Sequence, residues 1–167
     1  MDTKSIVALL KEALNAGVIL EVEEAQQQAM PSTIIVPVQH IATVCEKLRD
    51  HTRLYFDYLA CITAIDNGPE HGTMEVIYQL YSIPYDRSLM LKVIVPRDVK
   101  PGALPEVPSV NHIWRAADWH EREAYDLMGI RFTGHPDLRR ILLPADWEGH
   151  PLRKDYQAPA QYHGIDV

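Results

Sequence analysis

The chain has 167 residues, long enough for one domain with a substantial core and short for two. Its composition, 47% hydrophobic and 23% charged, is that of an ordinary globular protein, and no apolar run approaches the roughly 18–20 residues that cross a bilayer. A formal charge of −7 argues against nucleic acid, which asks for a basic face.

The charge is unevenly placed. Residues 1–130 hold 11 Lys/Arg and 18 Asp/Glu, whereas residues 131–155 hold five basic and four acidic side chains. The C-terminal region is therefore dense in both signs, a composition suited to interlocking with another charged surface. The opening Met1-Asp2-Thr3-Lys4 lacks the basic and apolar regions of a secretory signal, so a cytoplasmic product is expected. Cys45 and Cys61 each sit in an apolar pattern, and two thiols fall short of the usual four ligands of an iron–sulfur or structural zinc site.

In chain order, residues 3–16 predict an amphipathic helix, with Ile6, Leu9, Leu10, Ala13 and Leu14 at helical spacing and Gly17 as its cap. Val18–Val22 and Thr33–Val36 read as short strands. Val38–Leu48 returns to helix, with Val38, Ile41, Val44, Cys45 and Leu48 on one stripe. Leu59–Ile65 predicts a buried strand, closed by the turn Asp66-Asn67-Gly68-Pro69. Met74–Tyr81 and Ser88–Val95 predict two strands joined by a hairpin at Ile83-Pro84-Tyr85-Asp86. This order implies an α+β fold: a single domain, residues 1–130, whose mixed, largely antiparallel sheet is covered by helices on one face.

Pro96, Pro101, Pro105 and Pro108 mark an extended link. A helix follows, with Asp118 and Glu121 spaced as a capping box, Arg122 and Asp126 spaced to pair, and Gly129 at the stop. From Arg131 periodicity is lost, and Pro136, Pro144, Pro151 and Pro159 forbid long regular elements. Residues 131–167 therefore read as an extended docking arm that orders against a partner.

The run Glu121-Arg122-Glu123-Ala124-Tyr125-Asp126-Leu127-Met128, then His135 and Arg139-Arg140-Ile141-Leu142, resembles the signature of the 30-kDa subunit family of respiratory complex I. Gly149-His150-Pro151-Leu152-Arg153-Lys154-Asp155-Tyr156 is similar to that family's C-terminal motif. Together these phrases span Trp114 to Tyr156. The resemblance implies a hydrophilic subunit of the proton-pumping NADH:quinone oxidoreductase that itself binds no flavin, iron–sulfur cluster or quinone. FMN and the clusters would belong to partner subunits. It further implies docking on the 49-kDa-type subunit and other peripheral-arm subunits, at the cytoplasmic face of the inner membrane, with membrane contact only through the complex. Related subunits serve membrane-bound hydrogenases and other donor:quinone oxidoreductases, and the Gly149–Tyr156 block favours the quinone-reductase branch.

The expected interface residues are Trp119, Glu121, Arg122, Glu123, Asp126, His135, Asp137, Arg139, Arg140, His150, Arg153, Lys154, Asp155 and Tyr156. Neighbouring carboxylates on a helix also fit acid–base chemistry, but an ion-pair network anchoring the arm to the helix accounts for them without it. His135 and His150 occupy two similar phrases, Gly-His-Pro-Asp-Leu-Arg-Arg and Gly-His-Pro-Leu-Arg-Lys-Asp, in which glycine and proline set the backbone and cations follow. Neither HxxxH nor HExxH is present, which weakens the competing reading of a small metal-dependent hydrolase. Neither GxGxxG nor GxxxxGK[ST] occurs, so no nucleotide loop is expected.

Overall fold

The computed structural model describes residues 2–14, 21–23, 33–98, 100 and 102–166. Helix α1, Thr3–Ala13, starts where the Asp2 carboxylate accepts the Ser5 amide at 3.1 Å and turns Ile6, Val7 and Leu10 inward. The expected cap at Gly17 and most of the expected strand Val18–Val22 lie outside the described residues. Strand β1, Glu21–Glu23, pairs antiparallel with β2, Thr33–Ile35. A 3₁₀ turn at Val38–His40 leads into α2, Ile41–Asp50, whose buried stripe is Ile41, Val44, Cys45 and Leu48.

Strands β3, Tyr58–Asp66, β4, Thr73–Ser82, and β5, Arg87–Pro96, form an antiparallel meander. Strand β2 joins it parallel to β5, placing Ile34 beside Leu91, and the sheet order is β1-β2-β5-β4-β3. The expected hairpin at Ile83–Asp86 is present, with Asp86 in the left-handed region at φ +48°. Alternation sends Leu59, Ile62, Met74, Val76, Tyr78, Leu80, Leu89, Leu91, Val93 and Val95 into one cluster with the buried faces of the helices. The opposite face of the sheet leaves Tyr58, Ile65 and Ile94 exposed. The fold is thus the α+β domain that the pattern implied.

The proline-rich segment is more than a link. Glu106–Pro108 forms β6, which pairs parallel with β7, Arg131–Thr133, setting Val107 beside Phe132. Val107 and Val110 are fully buried. Trp114 is buried too, and its indole donates to the Phe56 carbonyl at 3.1 Å. Proline excluded long elements, but one short strand needs few amides, and apolar residues between the prolines supplied the burial.

Helix α3, Ala117–Met128, is capped by Ala116, so the expected capping box is not formed. Asp118 lies inside the first turn, and Glu121 is drawn to other partners described below. The helix stops where expected, at Gly129 with φ +69°. Beyond β7 the described residues form no regular element until the two-residue strands β8, Gln161–Tyr162, and β9, Ile165–Asp166.

Gly129 is constrained twice. Its backbone is left-handed, and a Cβ there would stand 2.5 Å from His150 Cδ2 and 2.8 Å from Arg153 Nη2. Gly134 has a similar backbone, φ +82°, but no neighbour within 4 Å of such a Cβ. Gly134→Ala should therefore cost only the backbone strain, roughly 1–2 kcal/mol. Gly129→Ala should cost about 1–3 kcal/mol more, because the arm must move. Urea unfolding of both variants checks the difference.

Candidate functional site

Irregular chain cannot pair its own amides, so a buried loop needs acceptors from elsewhere. At the arm they come from Asp126, on the last turn of α3, a residue with no solvent exposure. Its Oδ2 accepts the amides of Ile141, Leu142 and Leu143 at 3.0, 2.8 and 2.9 Å. Its Oδ1 accepts Arg140 Nη1 at 2.7 Å. Burial alone would raise this carboxyl; the three amides and the guanidinium outweigh it and hold it below the usual carboxylate range. Arg140 also donates to the carbonyls of Asp126, Trp147 and Gly149, so one side chain ties the helix to both ends of a loop.

The carbonyls at the C-terminus of α3 receive further donors from the arm. His150 Nδ1 lies 2.9 Å from the Asp126 carbonyl oxygen. Arg153 donates from Nε to the Met128 carbonyl at 2.9 Å and from Nη2 to that of Gly129 at 3.2 Å. Cations there also complement the negative end of the helix dipole. His135 serves the opposite end. Its Nδ1 accepts the Asp137 amide at 3.0 Å, so Nε2 carries the hydrogen and donates to the Asp118 carbonyl at 3.2 Å. The two Gly-His-Pro phrases therefore clip the two ends of one helix.

A second buried carboxylate fastens the arm to the sheet. Asp66, at the end of β3, accepts Arg97 Nε at 2.8 Å, the Gly68 amide at 3.0 Å and the Lys154 amide at 2.8 Å. Arg97 is 3% exposed and also pairs with Asp155 of the arm. Burial opposes the Asp66 charge, but these donors leave its carboxyl below the ordinary range. A third carboxylate holds the proline-rich segment. Glu121, fully buried, accepts the Ser109 hydroxyl at 2.6 Å and the Val110 amide at 2.7 Å. With no cation among its hydrogen-bond partners, burial dominates and pushes it up to about 7.

Several expected roles change. Arg122 does not pair with Asp126; it donates to the carbonyls of Arg139 and Arg140 at 3.2 and 3.3 Å and lies over the Trp119 ring. Asp126 takes its cation from the arm instead, because three converging amides already fix its direction. Arg140 and Arg153 point into their own chain. Lys154 donates from Nζ to the Asn67 carbonyl at 3.3 Å, and the Tyr156 hydroxyl accepts the Trp147 indole at 3.0 Å. Exposed among the expected residues are Trp119, at 67%, Glu123, Asp137, Arg139, Lys154 and Asp155; Arg139 pairs with Asp137 at 2.9 Å. Asp66, Arg97 and Ser109 were not singled out from the sequence. Asp66 read as a turn residue, and Arg97 stands alone beside a proline.

Asp126→Asn would replace an acceptor of four donors with a neutral amide that turns one of its own donors toward them. It should cost about 3–5 kcal/mol, read from the urea midpoint. Glu121 has the opposite pH signature. Its carboxyl is near 4.5 when unfolded and about 7 when folded, so its folded state favours the proton. That contribution is complete below pH 4.5 and is lost as pH rises to about 7, a decline of roughly 3 kcal/mol. Glu121→Gln keeps both hydrogen bonds and should remove this decline, leaving the variant more stable than wild type above pH 7. Urea midpoints between pH 4.5 and 8 check it.

The model of the respiratory-chain NADH dehydrogenase 30 Kd subunit family matches residues 34–162, from β2 through α3 and the arm. The C-type subunit of the NADH-quinone oxidoreductase of Chlorobium phaeobacteroides is 42% identical over 141 residues, covering 84% of this chain and 81% of the relative. That of Chloroherpeton thalassium is 44% identical over 139 residues, 83% of this chain; the chain spans about half of that relative, 55%. A chain in the structure of the membrane-bound sulfane sulfur reductase, an archaeal respiratory membrane complex, superposes with a TM-score of 0.73 at 25% identity. The match covers 94% of this chain and 86% of that one. With the matched span embracing the sheet strands β3 to β5, α3 and all three buried carboxylates, the chain belongs to the 30-kDa subunit family of respiratory-chain NADH dehydrogenases.

Proposed function

We propose that this chain is the 30-kDa-type subunit of a proton-pumping NADH:quinone oxidoreductase, a hydrophilic scaffold that holds no redox group and docks on the 49-kDa-type subunit. The observation that carries this reading is the family match over residues 34–162. The site's chemistry supports it. Asp126, Asp66 and Glu121 point at amides, hydroxyls or guanidinium groups of their own chain, so these carboxylates are committed to structure. Their product is a surface of helix and arm that leaves Trp119, Glu123 and Arg139 exposed to a partner. Electrons from NADH would pass through FMN and iron–sulfur clusters in partner subunits, with quinone reduced beside the 49-kDa-type subunit and protons moved by a membrane arm. Among the described residues no helix is long and apolar enough to cross a membrane, so contact with the cytoplasmic face of the bilayer would come through the complex.

The likeness to a chain of the sulfane sulfur reductase favours a second reading, an equivalent subunit in a respiratory complex fed by another donor. One experiment separates the two. A tagged chain should co-purify from membranes with an assembly that oxidises NADH with a quinone. Co-purification with an assembly that takes another donor supports the second reading, and recovery of a lone soluble chain contradicts both.

The division between structural and docking arginines is also testable. Arg140→Ala strands the buried Asp126 and should lower stability of the isolated chain by about 3–5 kcal/mol. Arg139→Ala removes an exposed pair worth at most about 1 kcal/mol. It should leave stability unchanged while lowering the amount of assembled complex on native gels. NADH oxidation normalised to assembled complex should be unaffected.

A further inference from the structure

Two loops meet at the opposite end of β3 from Asp66. One is residues 51–57, between α2 and β3; the other is the hairpin 83–86, between β4 and β5. Long-range hydrogen bonds tie them together. The Tyr85 hydroxyl donates to the Thr52 carbonyl at 2.5 Å, and the Ile83 amide donates to Asp57 Oδ1 at 2.9 Å. Of the ten large apolar or aromatic side chains exposed among the described residues, four fall on this end: Tyr55, Tyr58, Ile83 and Tyr85. Such clustering sets them apart from the single exposed apolar residues that any protein carries.

Tyr55 is the informative one. Its φ of +42° lies in the left-handed region, which glycine and asparagine enter readily and a bulky side chain enters at a cost. Reversal of the chain after α2 explains the backbone. The Tyr55 amide donates to the His51 carbonyl and the Phe56 amide to that of Leu48, both at 2.9 Å. It does not explain the tyrosine. That side chain is 45% exposed, and its hydroxyl makes no hydrogen bond among the described residues. The charges divide in the same way. Asp57 accepts the Ile83 amide and Asp86 accepts the Tyr81 hydroxyl, so both aspartates are engaged within the chain. Arg87 lies 5.1 Å from the centre of the Tyr85 ring, and neither it nor the exposed Arg53 meets a carboxylate among the described residues. The uncommitted charges at this end are therefore basic and stand among tyrosines, two side-chain types enriched where protein interfaces are anchored.

We propose that this end of the domain docks a carboxylate-bearing face of another polypeptide. Resting on the proposed function, that polypeptide is a member of the same complex. Its apolar surface would cover the tyrosine rings, its carboxylates would take the forked donors of Arg53 and Arg87, and the contact would offset the strain at Tyr55. None of these residues belongs to α3 or the arm. A second copy is a poorer occupant, because two-fold contact would set the arginines of this end against their own copies. A bilayer is poorer too, since two cations are few for an anionic lipid surface on a chain of charge −7.

The test uses the tagged full chain in membranes. Arg53→Glu, an exposed change, should leave the urea midpoint of the isolated chain unaltered and lower incorporation into the complex roughly tenfold. Arg53→Lys keeps the charge and should incorporate close to wild type. A carbodiimide should then join the new amine to a carboxylate of another polypeptide, a coupling at position 53 that wild type lacks. Tyr55→Asn suits the left-handed backbone, so its urea midpoint should not fall although its incorporation does. A tyrosine needed for folding would lower both, leaving Arg53→Glu to decide. A photoreactive side chain at Tyr58 should label the same polypeptide as the carbodiimide. Normal incorporation of both Arg53→Glu and Tyr55→Asn, or coupling to a second copy, overturns this docking end alone. Failure of the wild-type chain to join any respiratory assembly overturns the proposed function, and this surface with it.

Discussion

A carboxylate buried at the end of a helix can organise chain that has no secondary structure of its own, and Asp126 does this here. Three consecutive amides of the arm and one guanidinium converge on its two oxygens. A neutral side chain could not accept from all of them, and an apolar one would leave three amides without partners in a region partly shut off from water. The charge is tolerable because every direction around it is donor. Once residues 141–143 are fixed, Arg140 and the following loop have a defined place, and His150 and Arg153 reach the helix carbonyls. Asp66 repeats the device at the sheet, and Glu121 does so for the proline-rich segment without a cation.

This arrangement explains a shape that hydrophobic burial alone would not give. The apolar core is drawn from the sheet, the three helices and the proline-rich segment, and beyond Phe132 of β7 the arm adds little to it but Leu138 at its margin. Polar clips hold the arm to α3 and β3, leaving large side chains such as Trp119, Leu142 and Leu152 on the outside. A member of a multi-subunit family benefits from that division, because its outer surface can be apolar without being needed for its own folding.

Periodicity made the core legible from sequence. The alternation of β4 and β5 and the hairpin between them follow from local pattern and are reproduced within a residue. Helix α2 begins three residues later than expected and keeps all of its stripe but Val38, which lies in the 3₁₀ turn. The stop at Gly129 was legible for a local reason, a left-handed backbone. Long-range polar pairing was not. Asp66 and Lys154 are 88 positions apart, and no sequence spacing distinguishes an aspartate that closes a turn from one that also anchors an arm. The Asp118–Glu121 spacing pointed to a capping box, yet the free donors of Ser109 and Val110 claimed Glu121. The two Gly-His-Pro phrases were visible as a repeat, but that they grip opposite ends of one helix required the fold.

The central claim is that Asp126 folds the arm onto its own domain before any partner binds. Amide hydrogen exchange of the isolated chain tests it most directly, at Ile141, Leu142 and Leu143. All three amides should be protected well beyond the neighbouring exposed residues Ala145 and Glu148, and Asp126→Asn should abolish that protection while β4 and β5 keep theirs. Rapid exchange of the three amides in the wild-type chain would contradict the account and make the arm a segment that orders only on its partner.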